Sequence, residues 1–257
     1  MPLVSVVMPV HNSAATLGPS VRSVLAQTHP DLELLITDDG SSDGSMDMLK
    51  DFAQQDERVL PESAERQGGA ARARNLAIAR ARGDYVAFLD SDDMWLPAKL
   101  EQQLAFAASA ETPLTFTSYY KIDALHEGEA ADFTSNGRVV WAPARVDYGA
   151  MLVQDHIGAL TAMYDRRVLG TRLMPDMPKR QDYALWLSIM RDGAAARALR
   201  EPLALYRAGR AGSVSSNKLG LIPYNWDLYR RHERLSVFRA ARALTGAGWH
   251  SVRKSRI

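Results

Sequence analysis

Asp90-Ser91-Asp92-Asp93 follows the apolar run Tyr85–Leu89, and Asp38-Asp39-Gly40-Ser41 follows Leu32–Thr37. Three carboxylates packed as closely as Asp90, Asp92 and Asp93 repel one another unless a cation sits among them. Hard oxygen ligands suit Mg²⁺ or Mn²⁺, ions that commonly share their coordination with a phosphate. An aspartate fixed in the other turn can accept the N3–H of a uracil ring or the hydroxyls of a ribose. The two turns together describe a pocket for a nucleoside diphosphate. Either one alone is an ordinary loop former or N-cap. Both standing at the ends of apolar strands is harder to assign to turn chemistry.

The surrounding pattern supplies elements that position them. Short apolar runs alternate with helical spacing through the first half, which predicts an α/β unit with a parallel sheet. Strands are expected at Val4–Val10, Leu32–Thr37, Arg58–Leu60 and Asp84–Leu89. Helices are expected from Ser13, as N-cap, to Gln27, then to Gln55, across Ala70–Ala81, and from Pro97 to Ala108. In open α/β sheets ligands bind at the carboxyl ends of the strands, where both acidic turns lie. The second half predicts strands at Leu114–Tyr120, Val139–Trp141, Leu160–Tyr164 and Leu203–Arg207, with helices at Tyr148–Val153 and Asp182–Met190. A loop, Ala208–Ser216, precedes a single basic amphipathic helix over Tyr224–Leu244.

Composition narrows the function classes. The 257 residues contain no cysteine, which removes disulfides, thiol nucleophiles and zinc–thiolate sites. Six histidines are scattered without metal-ligand spacing, and no apolar stretch reaches the ~20 residues of a membrane span. The start of the chain lacks the features of a signal peptide, so a cytoplasmic location is expected. A net charge of +1 hides nine lysines and arginines against two acids from Ser216 to Ile257, which suggests an anionic neighbour or a solvated helical face.

From residue 4 to about residue 217 the chain resembles the family 2 glycosyltransferases. The resemblance rests on an ordered set: Val4–Asn12 as opening strand, Asp38-Asp39-Gly40-Ser41 as nucleotide turn, Gly68, Ala73, Arg74 and Asn75 on the next helix, and Asp90-Ser91-Asp92-Asp93 as the Asp-x-Asp motif. It implies a GT-A fold, an α/β architecture with a Rossmann-like, mostly parallel sheet flanked by helices. A catalytic domain would span 1–217 and a basic helical tail 218–257. By that likeness Pro9, Val10 and Asn12 line base and ribose, Asp38 and Asp39 hold the nucleotide with Asp39 on uracil, and Arg74 approaches the phosphates. Asp92 and Asp93 would hold Mn²⁺ or Mg²⁺, with Asp90 and Ser91 on the nucleotide side.

The family places its general base near the start of a later helix, and Arg180-Gln181-Asp182-Tyr183 fits that place, making Asp182 the candidate. The plain alternative is an N-cap for the helix that follows. Many relatives carry glutamate where this chain has Gln181, and histidine where it has Gly209. Arg210, with Ser213 and Ser215, would then supply diphosphate contacts. The Arg-Gln-Asp-Tyr form resembles a branch that builds bacterial surface polysaccharides, which implies a UDP-sugar donor and a glycan or polyprenyl-linked saccharide acceptor rather than a nucleic acid. Trp226, Tyr229, Arg230, Arg231, Arg234 and Arg239 would put the tail against the inner membrane, pack it on the domain, or form a dimer contact. Trp95, Trp141 and Trp186 are candidates for stacking on a sugar ring or for the core. Two rivals remain: a sugar nucleotidyltransferase, which would want a glycine-rich loop after the first strand, and a nucleotide-sugar-binding scaffold without turnover.

Overall fold

Strands β1 (Val4–Val10) and β2 (Leu32–Asp38) are buried along their whole length, as expected for parallel strands covered on both faces. Their side chains alternate between two layers. Val4, Val6, Met8 and Val10 face α1 (Ala14–Leu25), α2 (Ser45–Gln55) and, in the same layer, Leu100. Val7 and Leu35 face the opposite way, toward α3 (Gly69–Arg80). The computed structural model describes residues 1–209 and 219–254, with side chains at 1–209 and 220–245.

β3 (Val59–Ser63) pairs with β2, while β4 (Tyr85–Phe88) pairs with the other side of β1, all in parallel. The chain therefore winds outward to β3 and returns across β1 to β4. That reversal opens a crevice at the carboxyl ends of β1, β2 and β4. Gly83, before β4, must be glycine for the return to fit. A Cβ there would lie 2.6 Å from the Ser5 nitrogen and 2.8 Å from the Leu3 oxygen.

The sheet continues with β5 (Met94–Trp95), α4 (Lys99–Ser109), β6 (Leu114–Asp123), β7 (Val139–Val140), β8 (Arg145–Val146), α5 (Tyr148–Val153) and β9 (Met163–Asp165). After α6 (Arg166–Leu169) and α7 (Gln181–Arg191) comes β10 (Ala196–Ala208). Strand order is β3-β2-β1-β4-β9-β6-β10-β5, with β7 on β6 and β8 on β10. β9 runs antiparallel between β4 and β6, so the sheet is parallel in its first half and mixed in its second. α7 buries Tyr183, Leu185, Trp186 and Ile189 in the layer that holds α3.

The tail is not the single helix expected over Tyr224–Leu244. α8 (Ile222–Asp227) runs into a π-helical turn at Leu228–His232, and α9 begins only at Val237 (Val237–Lys254). Arg234 adopts a left-handed conformation (φ 52°), which α-helical continuation does not allow. Tertiary bonds favour the break. Glu233 is buried and accepts the Tyr148 hydroxyl at 2.7 Å, and Tyr229 donates its hydroxyl to the Leu152 carbonyl at 2.7 Å. Leu228, Tyr229 and Leu235 thereby join the core of α7. Of the expected tail contacts, packing back on the domain is present.

Candidate active site

The Asp38–Ser41 turn follows β2, and the Asp39 N–H donates to the Val10 carbonyl at 2.8 Å, extending the β1–β2 register to the tip. The buried Asp39 carboxylate accepts the Gly68 N–H at 2.8 Å and the Gly69 N–H at 2.7 Å. Gly69 has φ 81°, a conformation that turns its amide back to this carboxylate and that a side chain would strain. The turn thus fixes the start of α3, and α3 carries Arg74.

Arg74 is buried and ion-paired with Asp90, the first acid of the second turn. Burial works against its charge, but Asp90, Asp182 and Asp92 together hold its guanidinium above the ordinary arginine range. One cation therefore feels acids from both ends of the crevice. Asp93 is buried, and its carboxyl is pushed well up, by burial first and then by Asp92 and Asp90. The Ser91 hydroxyl lies 2.7 Å from that of Ser13, tying the acid turn to the loop after β1. Ser13 was expected to cap α1. It holds the N-cap position without a side-chain cap, because its hydroxyl is directed to Ser91 and the His11 carbonyl instead.

A cleft of about 790 Å³ joins these residues to the start of α7. Its walls include Pro9, Val10, Asp39, Arg74, Asp90, Ser91, Asp92 and Asp93 on one side, and Trp141, Asp155, His156, Lys179, Arg180 and Asp182 on the other. The arrangement is one cleft of mixed polar and apolar lining in which the buried Arg74 shares its space with Asp90, Asp92 and Asp182.

A family model described as glycosyl transferase family 2 matches residues 5–136. Over 253 residues the chain is 40% identical to TuaG of Bacillus subtilis (strain 168), named for teichuronic acid biosynthesis, covering 98% of this chain and 97% of that one. The chain belongs to glycosyl transferase family 2. It is 36% identical to an Escherichia coli relative, WfaP, over 85% of this chain and 82% of the relative. WfaP is named as a UDP-Glc:α-D-GlcNAc-diphosphoundecaprenol β-1,3-glucosyltransferase. Among solved structures, S. aureus TarS 1-349 in complex with UDP-GlcNAc aligns with TM-score 0.69 at 17% identity, covering 95% of this chain and 71% of that one. The mannosyltransferase PcManGT of Pyrobaculum calidifontis, in complex with GDP-Man and Mn²⁺, aligns with TM-score 0.62 at 18% identity, covering 96% and 75%. The fold is GT-A and the protein is a glycosyltransferase, so the nucleotidyltransferase rival and the turnover-free scaffold both give way.

Within this family 2 cleft, Asp39 lines the space while two of the expected residues, Asp38 and Asn12, stand outside the lining. Asp38 is buried and does not line the cleft; its carboxylate accepts the Ser41 hydroxyl and N–H and so shapes the turn. Asn12 also lies outside the lining, at φ 48°, where its side-chain oxygen accepts the Ser42 N–H at 2.8 Å and links the loops after β1 and β2. Asp39 faces the cleft with both oxygens already accepting backbone N–H groups; only their second lone pairs remain for a base. Arg210, Ser213 and Ser215 lie outside the described residues. Trp95 and Trp186 are fully buried core residues, whereas Trp141 is 59% exposed on the cleft wall.

Sequence reasoning missed Arg207, Asp155 and Arg180. The buried Arg207 donates its N–H to Asp93 Oδ1 at 2.8 Å and its guanidinium to the carbonyls of Asp92 (3.0 Å), Ala124 (3.1 Å) and His126 (2.6 Å). For Arg207 the available signal was a basic residue closing the apolar run Leu203–Tyr206.

The donor set bears on the metal. Among the described residues no group of three or more His, Cys, Asp or Glu side chains is arranged to hold an ion. Asp90 is committed to Arg74, leaving Asp92 and Asp93 at the turn. Two hard carboxylates in a crowded acidic turn fit a Mg²⁺ or Mn²⁺ whose remaining positions are filled by phosphate and water. No helix of the described residues is long and apolar enough to cross a membrane.

Proposed function

We propose that this chain is an inverting, metal-dependent glycosyltransferase that moves a sugar from a UDP-sugar to a lipid-linked saccharide during bacterial surface polysaccharide synthesis. The observation that carries the reading is the single cleft in which Asp39, Arg74, Asp92 and Asp182 face one space. Similarity to TuaG and WfaP supports the pathway class and the lipid-linked acceptor.

Pro9 and Val10 offer the nucleoside an apolar wall, and the free lone pairs of Asp39 accept from the base. Arg74 is a fixed, buried cation beside the donor phosphates; Asp90 holds its guanidinium in place. Asp92 and Asp93 would hold Mn²⁺ or Mg²⁺, which offsets charge on the departing diphosphate. At the other end of the cleft Asp182 accepts the proton of the attacking acceptor hydroxyl. A base in that position typically contributes ~10²–10⁴-fold in rate. As the acceptor oxygen bonds to the anomeric carbon, the carbon–phosphate oxygen bond breaks with its electron pair on UDP. Attack from the side opposite the leaving group inverts the anomeric centre.

The exposed Val237 and Phe238 beside Arg234 and Arg239 support peripheral contact with an anionic membrane face, where such an acceptor resides. The deciding experiment is UDP release and sugar transfer to a polyprenyl diphosphate-linked saccharide, with Mn²⁺, Mg²⁺ or chelator. Transfer is expected to need metal and to vanish in Asp92→Ala and Asp182→Asn. Full transfer in chelator would remove the ion from the reading, and full transfer by Asp182→Asn would remove the base.

A further inference from the structure

The acceptor end of the cleft holds a second carboxylate that the transfer chemistry above does not use. Asp155 follows α5 and lines the cleft, with its side chain 23% exposed. Its Oδ2 accepts Arg180 Nη1 at 3.3 Å, and its Oδ1 accepts the Ile157 N–H at 3.3 Å. Arg180 is the N-cap residue of α7 and adopts φ 69°, ψ 17°, a left-handed conformation that residues other than glycine adopt only at a cost. Its side chain packs over the Tyr183 ring, 5.6 Å from the centroid, and its Nε is buried without a hydrogen-bond partner. The guanidinium is thus anchored through Nη1, and the anchor is Asp155.

Two residues after Arg180 stands Asp182, whose Oδ1 accepts the Tyr183 N–H at 2.8 Å. Asp155 and Asp182 are close enough to repel. An Arg180 side chain released from Asp155 would find Asp182 as the neighbouring carboxylate. A base tied into such a pair is a weaker proton acceptor and is turned from the cleft.

We propose that Asp155 is a positioning residue for sugar transfer: its ion pair with Arg180 fixes the left-handed turn that aims Asp182 at the acceptor and keeps the guanidinium off the base. This rests on Asp182 being the base. The ionisable groups facing Asp155 are Arg180 and Asp182 at the start of α7, Tyr183 within α7, Tyr119 on β6 and Tyr229 of the tail, with His156 next in the chain. Burial first, then Asp182, pushes the Asp155 carboxyl up to about 7, with Arg180 opposing. The clamp therefore engages fully only above neutral pH, and transfer should rise through a limb near pH 7 that belongs to Asp155.

The test compares Asp155→Asn, Asp155→Glu, Arg180→Gln and Asp182→Asn in the full chain, using transfer kinetics from pH 5.5 to 9 and UDP titration. Asp155→Asn should lower kcat by on the order of tenfold to a hundredfold, the scale of a misplaced catalytic group, without changing UDP affinity. It should also lose the limb near pH 7, and Asp155→Glu should restore most of both. The Asp155→Asn/Arg180→Gln double variant should be no slower than the slower single one, because both remove one contact. Native kcat and pH profile in Asp155→Asn, with Asp182→Asn inactive, overturn the positioning role and leave the base standing. A change confined to acceptor KM overturns it in favour of direct acceptor contact. Lost activity with the limb intact and no rescue by glutamate overturns it in favour of a purely structural residue. If Asp155→Asn does not fold, soluble Arg180→Gln with native kcat overturns it equally.

Discussion

The backbone N–H of Arg207 donates to Asp93 Oδ1 at 2.8 Å, so a strand arriving 114 residues later holds the acid turn in place. The same residue's guanidinium donates to the carbonyls of Asp92, Asp123, Ala124 and His126, so the acid turn's own backbone is among its partners. β10 is therefore a brace for the turn as well as a sheet element.

Arg207→Ala should uncover that brace. It leaves the Asp92, Ala124 and His126 carbonyls without this donor in a buried region, at a cost of roughly 1–3 kcal/mol for each group left unsatisfied. Part of that is recovered by water, so a net loss of about 3 kcal/mol in urea unfolding is expected, with weaker Mn²⁺-dependent UDP binding. Equal stability loss with unchanged UDP binding would make Arg207 a fold residue only.

Trp141 and Trp186 separate the two uses of an indole. Trp186→Ala should cost about 3–5 kcal/mol, because it empties a core site where Phe88 packs edge-on at 5.4 Å between centroids. Trp141→Ala should leave Tm within about 2 °C, since little buried contact is lost at an exposed site. Its effect should appear as a raised KM for the sugar acceptor or donor, the sign of a stacking platform. A Trp141→Ala enzyme with native KM values would reduce that residue to a cleft wall.

Much of the first half was legible because the local pattern and the tertiary answer coincide there. Val4–Val10, and in the second half Tyr148–Val153, occur at the bounds read from the residues, since apolar runs and helical spacing carry their own signal. β10 was read only at Leu203–Arg207, because Arg197, Arg200 and Glu201 break the apolar pattern and two register shifts fall around Pro202. β5 and β8, two residues each, have no local signal at all. In the site, residue types gave the acids, but the orientation of Asp38 and Asn12 into neighbouring turns is decided by Ser41 and Ser42. The Asp155–Arg180 contact joins two irregular segments 25 positions apart, a pairing that only the closed fold creates. The break in the tail follows from Glu233 and Tyr229 finding partners on α5, which no amphipathic pattern within the tail encodes.

Arg74→Gln should disturb both ends of the cleft. The substitution removes the buried cation that Asp90, Asp92 and Asp182 share, so their mutual repulsion goes unopposed. A charge-assisted hydrogen bond to a phosphate contributes about 1.5–3 kcal/mol, so UDP should bind tenfold to a hundredfold more weakly. The salt dependence of UDP binding should also flatten, because one fixed charge has gone from the site. Native UDP affinity in Arg74→Gln, measured by calorimetry, would place Arg74 in the framework of α3 rather than on the donor.

Asp155 also makes a prediction about stability, with a sign set by its raised carboxyl. In the folded chain it keeps its proton up to about pH 7, against 3.8 for an ordinary aspartate. Between those values the folded state binds more protons than the unfolded one, so stability falls as pH rises through that window. Above it the loss is complete and constant. Asp155→Asn has no such proton, so its Tm relative to the native chain should climb between pH 5 and pH 8, by an amount equivalent to on the order of 1–3 kcal/mol. Thermal unfolding of both chains at the two pH values reads this directly, and any fixed cost of the asparagine cancels in the comparison. A difference in Tm that stays flat, or that shrinks toward pH 8, would show that Asp155 is already ionised at pH 5. The limb in transfer near pH 7 would then need another owner.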